Sequence, residues 1–247
     1  MGYRPVMALI VMVLVGAASC ARLELPPPAA APPDARPEGS LLRLQAELAS
    51  CEDELQQAAG ERTNCLVRAA RLAFLLGEMS PKLDKLSYFE KGRKFAETLA
   101  QEQPDWAEGH YWLALNLCGL AELGGARQGL RLVPDIIKSL EQALKVNPAY
   151  DQAGPHRVLG RIYFECPPWP LSVGDINASW RHLAAAAALA PENSTNHLYL
   201  AETLFKLGKT EEARKELEKV LRATSHALGP RFLEDDRLAA QRLLSKQ

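Results

Sequence analysis

The chain has 247 residues, with 29 Lys and Arg against 30 Asp and Glu, for a formal net charge of −1. That balance excludes a strongly basic nucleic-acid binder. At 47% hydrophobic and 24% charged residues, the chain is neither disordered nor a polytopic membrane protein. Its length allows about one to two domains. Five cysteines are an odd number, which asks for a separate fate for one of them.

Residues 1–19 read as a secretory signal. Arg4 and the amino terminus form a thin positive region, and Val6 to Ala18 is an apolar run of 13 residues. That run falls short of the about 20 residues a bilayer span needs and suits the core of a signal peptide. It ends in Ala17-Ala18-Ser19-Cys20, which resembles the lipobox of bacterial lipoproteins, with Ala17 where Leu is usual. The resemblance implies cleavage before Cys20 and acylation of Cys20. Ala21, rather than Asp, implies sorting to the periplasmic face of the outer membrane. The alternative is an ordinary signal with a nearby free cysteine. Residues 20–40 follow as anchor and tether: Leu25 to Ser40 is rich in Pro and Ala, cannot bury a core, and reads as a semi-extended linker.

Residues 41–247 read as one all-α domain. Strand-forming residues are sparse, and apolar residues recur at three and four, the helical period. Residues 41–60 predict a first capping helix. The clearest repeat is Asn196–Arg222. Leu200, Ala201 and Leu204 share a face of one helix, Gly208 sits at its C-terminal cap, and Thr210 is placed to cap the next. Ala213, Leu217 and Val220 are the inner stripe of that second helix. Upstream copies hold Leu159-Gly160 and Tyr163 with Ser179, Leu183, Ala186 and Pro191, then Leu113-Ala114 and Leu117 with Leu140, Ala143 and Pro148. A weaker copy holds Leu72-Ala73 and Leu76 with Gly92, Leu99 and Pro104. Residues 231–246 predict a closing helix, since a solenoid needs polar-faced caps.

These units resemble the tetratricopeptide repeat (TPR), with large-small-large in the first helix and small residues in the second. The small residue of the first helix falls at 73, 114, 160 and 201, spaced 41, 46 and 41. Against a standard period of about 34, the upstream copies carry insertions of about 7 to 12 residues. The resemblance implies an α-solenoid of four irregular repeats over about residues 62–228, with a concave face lined mainly by the first helices. Side chains expected on that face are Tyr111 and Leu115, Arg157 and Arg161, and Leu198 and Glu202. Arg157 and Arg161 are four apart on one helix and suit capture of an anion or carboxylate, or pairing within the fold.

Three histidines, His110, His156 and His197, share one register. Equivalent positions on stacked helices about 8–10 Å apart spread over roughly 20 Å, far beyond the about 2 Å bonds of a zinc site. A structural role in place of a large aromatic is expected. No cysteine pair has metal-ligand spacing, so no metal and no cofactor are expected. With Cys20 acylated in an oxidising compartment, Cys51–Cys65 and Cys118–Cys166 are the expected disulfides, against four buried thiols. No catalytic motif is present: no G-x-S-x-G, H-E-x-x-H, Walker A or G-x-G-x-x-G. The glycine-rich stretch from Cys118 to Asp135 predicts an extended helix, a turn at Gly124-Gly125, and packing along a groove or pore. The insertion from Phe164 to Asp175 holds Pro167, Pro168 and Pro170 around Trp169. Trp169 is either a rigidly presented binding anchor or a plug over the repeats. Asp175 is expected to cap the following helix.

Lipobox, tether and irregular TPR hairpins together, with GHYWLALNL at 109–117 and AGPHRVLGRIY at 153–163, resemble the TatT family of lipoproteins associated with TRAP transporters. The resemblance implies a non-enzymatic, membrane-anchored periplasmic subunit. Its partners would be a solute-binding protein, a small hydrophobic or organic-acid ligand, or a second copy of the chain. The other reading is an envelope scaffold that binds peptides or assembly partners in its groove.

Overall fold

The computed structural model describes residues 37–57, 62–224 and 230–245. The signal and the lipidation site at Cys20 lie outside them. The described chain forms ten helices: α1 (Pro37–Gln56), α2 (Arg62–Met79), α3 (Lys82–Glu102), α4 (Ala107–Leu123), α5 (Gly125–Val146), α6 (Tyr150–Glu165), α7 (Ile176–Leu189), α8 (Ser194–Lys206), α9 (Thr210–Arg222) and α10 (Pro230–Ser245). The pairs α2–α3, α4–α5, α6–α7 and α8–α9 are the four expected hairpins. Each also packs on the next, and α1 and α10 close the two ends. No described helix is long and apolar enough to cross a membrane.

Small residues set the spacing. Phe89 of α3 is buried with its ring against Gly77 of α2 and Gly119 of α4. A Cβ added at Gly119 would stand 2.5 Å from the ring. At Gly160, an added Cβ would meet the Leu183 side chain, so helices of one hairpin approach closely there. Gly208 has φ of +76°, the left-handed conformation that favours glycine. It ends α8 in a Schellman motif: Gly208 N–H donates to Phe205 O and Lys209 N–H to Leu204 O. The residue before α9 is Lys209, with no side-chain cap. Thr210 is the first helical residue, which corrects its expected capping role. Asp175 does cap α7, accepting from the Asn177 and Ala178 amides.

The third repeat departs from the others. Pro104 and Pro191 stand ten residues before the small residues Ala114 and Ala201, whereas Pro148 stands twelve before Gly160. The two extra residues are taken up at the start of α6. There Asp151, Gln152 and Ala153 all have positive φ, at 48°, 55° and 61°. This single left-handed turn costs roughly 1–2 kcal/mol per residue. The right-handed helix resumes at Gly154, with Pro155 in its first turn, where a missing N–H is tolerated. Ala153→Gly is therefore expected to be neutral or slightly stabilising. The same change in a right-handed helix costs about 1 kcal/mol, so the sign of the shift in urea midpoint checks this geometry.

The shift also separates the histidines. His110 Nε2 donates to Pro104 O (2.8 Å) and His197 Nε2 to Pro191 O (2.7 Å), each tying its helix to the carbonyl six residues back. Two residues out of step, His156 instead meets His182 of α7, Nδ1 to Nδ1, at 3.0 Å. Burial lowers the affinity of both rings for protons, to about 4 for His182. Among the described residues no group of three or more His, Cys, Asp or Glu is placed to hold a metal.

At the far end, Asp236 of α10 accepts from Ser194 Oγ (2.6 Å) and Thr195 Oγ1 (2.9 Å) of α8. Burial pushes its carboxyl up to about 6, with the two hydroxyl bonds pulling the other way. Folding thus favours the protonated acid. This group's contribution is full below its ordinary value of 3.8 and is lost as pH rises through about 6. Asp236→Asn is expected to reduce the stability advantage of about pH 5 over about pH 8, as read by thermal unfolding at the two pH values.

Candidate interaction site

The expected concave face is filled rather than open. Tyr111, Leu115 and Leu198 are buried. Tyr111 Oη donates to the Asp151 carboxylate at 2.5 Å, and burial together with that neighbouring charge raises its pKa well above the ordinary value. Arg157 Nη2 pairs with Asp151 at 3.0 Å, and the same guanidinium donates to the carbonyls of Asp151 and Gln152 and to Asn196 Oδ1. Asn196 closes the ring of contacts by donating to Gln152 O at 3.1 Å. Arg157 thus fastens the left-handed turn of α6 to α8. Burial opposes its charge, but the surrounding Tyr111 and Asp151 outweigh that and raise its pKa.

Arg161 is likewise engaged. It pairs with Glu165 at 2.5 Å and with Glu202, and lies over the rings of Phe164 and Tyr199 at 4.9 and 4.5 Å. The structure joins Tyr111 to Arg157 and Arg161 to Glu202, while Leu198 is buried in the separate cluster around Leu183 and Leu217. It uses the two arginines to join α6 to α8 rather than presenting them to an anion. Leu115 packs in the core cluster that also holds Tyr111.

The cysteines correct a second expectation. All four described cysteines are free, buried thiols. Cys65 Sγ donates to Glu54 Oε2 at 2.9 Å. That bond, with burial behind it, pushes its pKa up to about 11. Burial also raises Cys51, Cys118 and Cys166. The expected pairs are neighbours without being bonded: Cys51 adds to the upward shift of Cys65, and Cys166 to that of Cys118.

The open site lies on the opposite face. Helices α3 and α5 both pack on α4, yet no Cα of one comes within 8 Å of the other. Between them runs a groove of about 490 Å³. Its floor is Leu113, Leu117 and Leu120 of α4, joined by Leu132 of α5. One wall carries Glu90, Arg93 and Glu97, and the other Asp135 and Lys138. Arg93 is neutralised by Glu90 and Glu97, both at 2.9 Å. The glycine-rich stretch lines this groove as expected: α4 runs on to Leu123, the chain turns at Gly124 and Gly125 (φ 72°), and α5 then carries Gln128 and Leu132 to its edge.

Trp169 does not plug the repeats. Its loop is closed by a bridge between Pro168 and Gly174, and Gly174 N–H donates to Pro167 O at 2.9 Å. A Cβ at Gly174 would run into the backbone of Cys166 and Pro167. The tight base leaves the indole projecting into solvent.

The architecture agrees with the comparisons. The family described as regulator of microtubule dynamics protein 1-3 matches residues 43–168, just over half of the chain. The chain belongs to that family. A tetratricopeptide-repeat family matches residues 171–227. The regulator of microtubule dynamics match thus covers most of α1 through α6 and the whole groove, and the repeat match covers α7 to α9. Among solved structures, a thermophilic TPR protein of Thermus thermophilus superposes with a TM-score of 0.61. It does so at 22% identity over 83% of this chain and 93% of its own, a likeness that shows the fold. No curated protein matches the sequence. The protein has a TPR-type helical-repeat fold.

Proposed function

We propose that the protein is a membrane-tethered, non-catalytic scaffold that takes a segment of a protein partner into the groove between α3 and α5. The observation that carries this reading is the groove itself: an apolar floor of leucines between two charged walls, open along its length because α3 and α5 do not touch. An amphipathic helix or extended segment would place apolar side chains on Leu113, Leu117 and Leu132 and polar ones against Glu97, Asp135 and Lys138. The tether and an acylated Cys20 would hold the scaffold at the bacterial envelope, on the periplasmic face of the outer membrane.

The test is affinity purification from native membranes with the wild-type chain and Leu117→Asp. A partner retained by wild type and lost from Leu117→Asp, with helix content unchanged by circular dichroism, supports the reading. Equal recovery on both overturns it.

A second reading is favoured by one observation. The groove volume falls within the range of about 300–1,000 Å³ typical of small-molecule sites. In that reading the chain is a TRAP-transporter-associated subunit. It presents a small hydrophobic or organic-acid ligand to a solute-binding protein. Native mass spectrometry of the protein purified from its own membrane separates the two. A bound small molecule displaced by Leu117→Asp favours the transporter subunit, and a bound protein alone favours the scaffold.

A further inference from the structure

We infer that His156 of α6 and His182 of α7 form a two-histidine site for a divalent transition cation, held through both Nδ1 atoms. Imidazole nitrogens suit zinc, copper and nickel. The site lies in the third repeat and uses no residue that lines the groove between α3 and α5.

The histidines of the array fall into two kinds. His110 and His197 share a register, and each commits Nε2 to a carbonyl six residues back. His197 also spends Nδ1 on Glu216, at 2.5 Å. The left-handed turn at the start of α6 takes His156 out of that role. Its Nδ1 stands 3.0 Å from Nδ1 of His182, with the ring centroids 5.2 Å apart. Neither Nε2 has a hydrogen-bond partner among the described residues. Both rings are half-buried, neither sealed in the core nor fully exposed.

That separation is close to the bite of a metal chelate. Two bonds of about 2.0–2.1 Å to one ion, at the tetrahedral angle, set their nitrogens roughly 3.3 Å apart. The rings need to part by only a few tenths of an ångström. As they stand, one Nδ1 carries a proton and donates it to the other. The ion takes the place of that proton, which passes to Nε2 of the same ring, so no net proton is released. Burial already favours the neutral form of both rings, with His182 lowered to about 4, so at neutral pH the ion does not have to displace a second proton. Tyr163 stacks on His182 at 5.6 Å and 22° and fixes the plane of that ring. Arg181 is the opposing charge on His182. It is exposed, so salt and solvent screen it. Among the described residues no third His, Cys, Asp or Glu completes the set, and water fills the remaining positions.

The test titrates Zn(II) alone into the full chain, under reducing conditions in a non-coordinating buffer, with calorimetry as the readout. One bound equivalent is expected in the wild type and none in His156→Gln or His182→Gln at unchanged helix content. No binding by the wild type, or unchanged binding in either variant, overturns the inference. Co(II) added in parallel reports the ligand type: a thiolate charge-transfer band would assign the ion to cysteines and overturn it as well. Should a variant lose helix content, the imidazole resonances of the wild type decide. Zn(II) is expected to shift two of the five histidines, those at 156 and 182. Shifts in neither of them overturn the site.

Discussion

Phe89→Ala is expected to remove about 3–5 kcal/mol of stability, the largest effect of any single truncation in the array. Phe89 is buried, and its ring fills a slot made by Gly77 of α2 and Gly119 of α4. It also packs on Phe74 with ring centroids 6.1 Å apart. One side chain of α3 therefore joins two successive first helices, and its removal leaves a cavity bounded by three elements that cannot all move in. The reverse change carries the same information. Gly119→Ala sets a methyl against the ring at 2.5 Å, and overpacking of this kind costs about 1–3 kcal/mol. The two sites are in contact, so their effects should not add. Gly119→Ala combined with Phe89→Leu is expected to be more stable than the sum of the single changes allows. Urea unfolding of the four proteins of that cycle measures the coupling directly.

Arg157→Met is expected to cost about 3 kcal/mol, the scale for removing one partner of a buried ion pair. The loss is not of one bond. Asp151 keeps a carboxylate with only Tyr111 to satisfy it, the Asp151 carbonyl and Asn196 Oδ1 lose the guanidinium, and the Gln152 carbonyl is left with Asn196. The left-handed turn is held by these contacts against its own backbone preference, so its strain adds to the deficit. Arg157→Lys is expected to rescue little, because an ammonium cannot reach a carboxylate, two carbonyls and an amide at once as the planar fork does. Hydrogen exchange of the α6 and α8 amides checks the local nature of the effect. Protection should fall across that joint and persist in α2 and α4.

Much of this fold is legible in the sequence. The small residues at 73, 114, 160 and 201 place all four hairpins, and Asp175 and Gly208 mark helix ends where the structure has them. The left-handed turn has a sequence signal too, in the two extra residues between Pro148 and Gly160. Other features are three-dimensional. Thr210 precedes a helix as a cap would, but the Schellman turn at Gly208 ends one residue earlier and hands that position to Lys209. Cys51 and Cys65 are neighbours as their spacing suggests, yet the Cys65 thiol is committed to Glu54.

The candidate site was hidden for a related reason. Leu113 and Leu117 read as the inner face of a repeat helix, and Leu117 and Leu120 are buried there while also reaching the groove. Nothing along the chain says that α3 and α5 stay apart and leave those leucines as the floor of a groove. The arginine pair is open in the sequence between capture of an anion and pairing within the fold, and the structure has the second: Asp151 and Glu165 of α6 and Glu202 of α8 are the partners. The exposure of Trp169 depends on the closure of its loop at Pro168 and Gly174, which the prolines alone do not specify.

That the groove between α3 and α5 receives a protein segment is tested most directly by site-specific photo-crosslinking in the cells of origin. A photoreactive residue is placed at Leu132 in the groove and, in a second protein, at Leu189 at the end of α7. A discrete protein adduct is predicted from position 132 and none from position 189. No adduct from 132, or the same adduct from both positions, would contradict a groove that binds a partner.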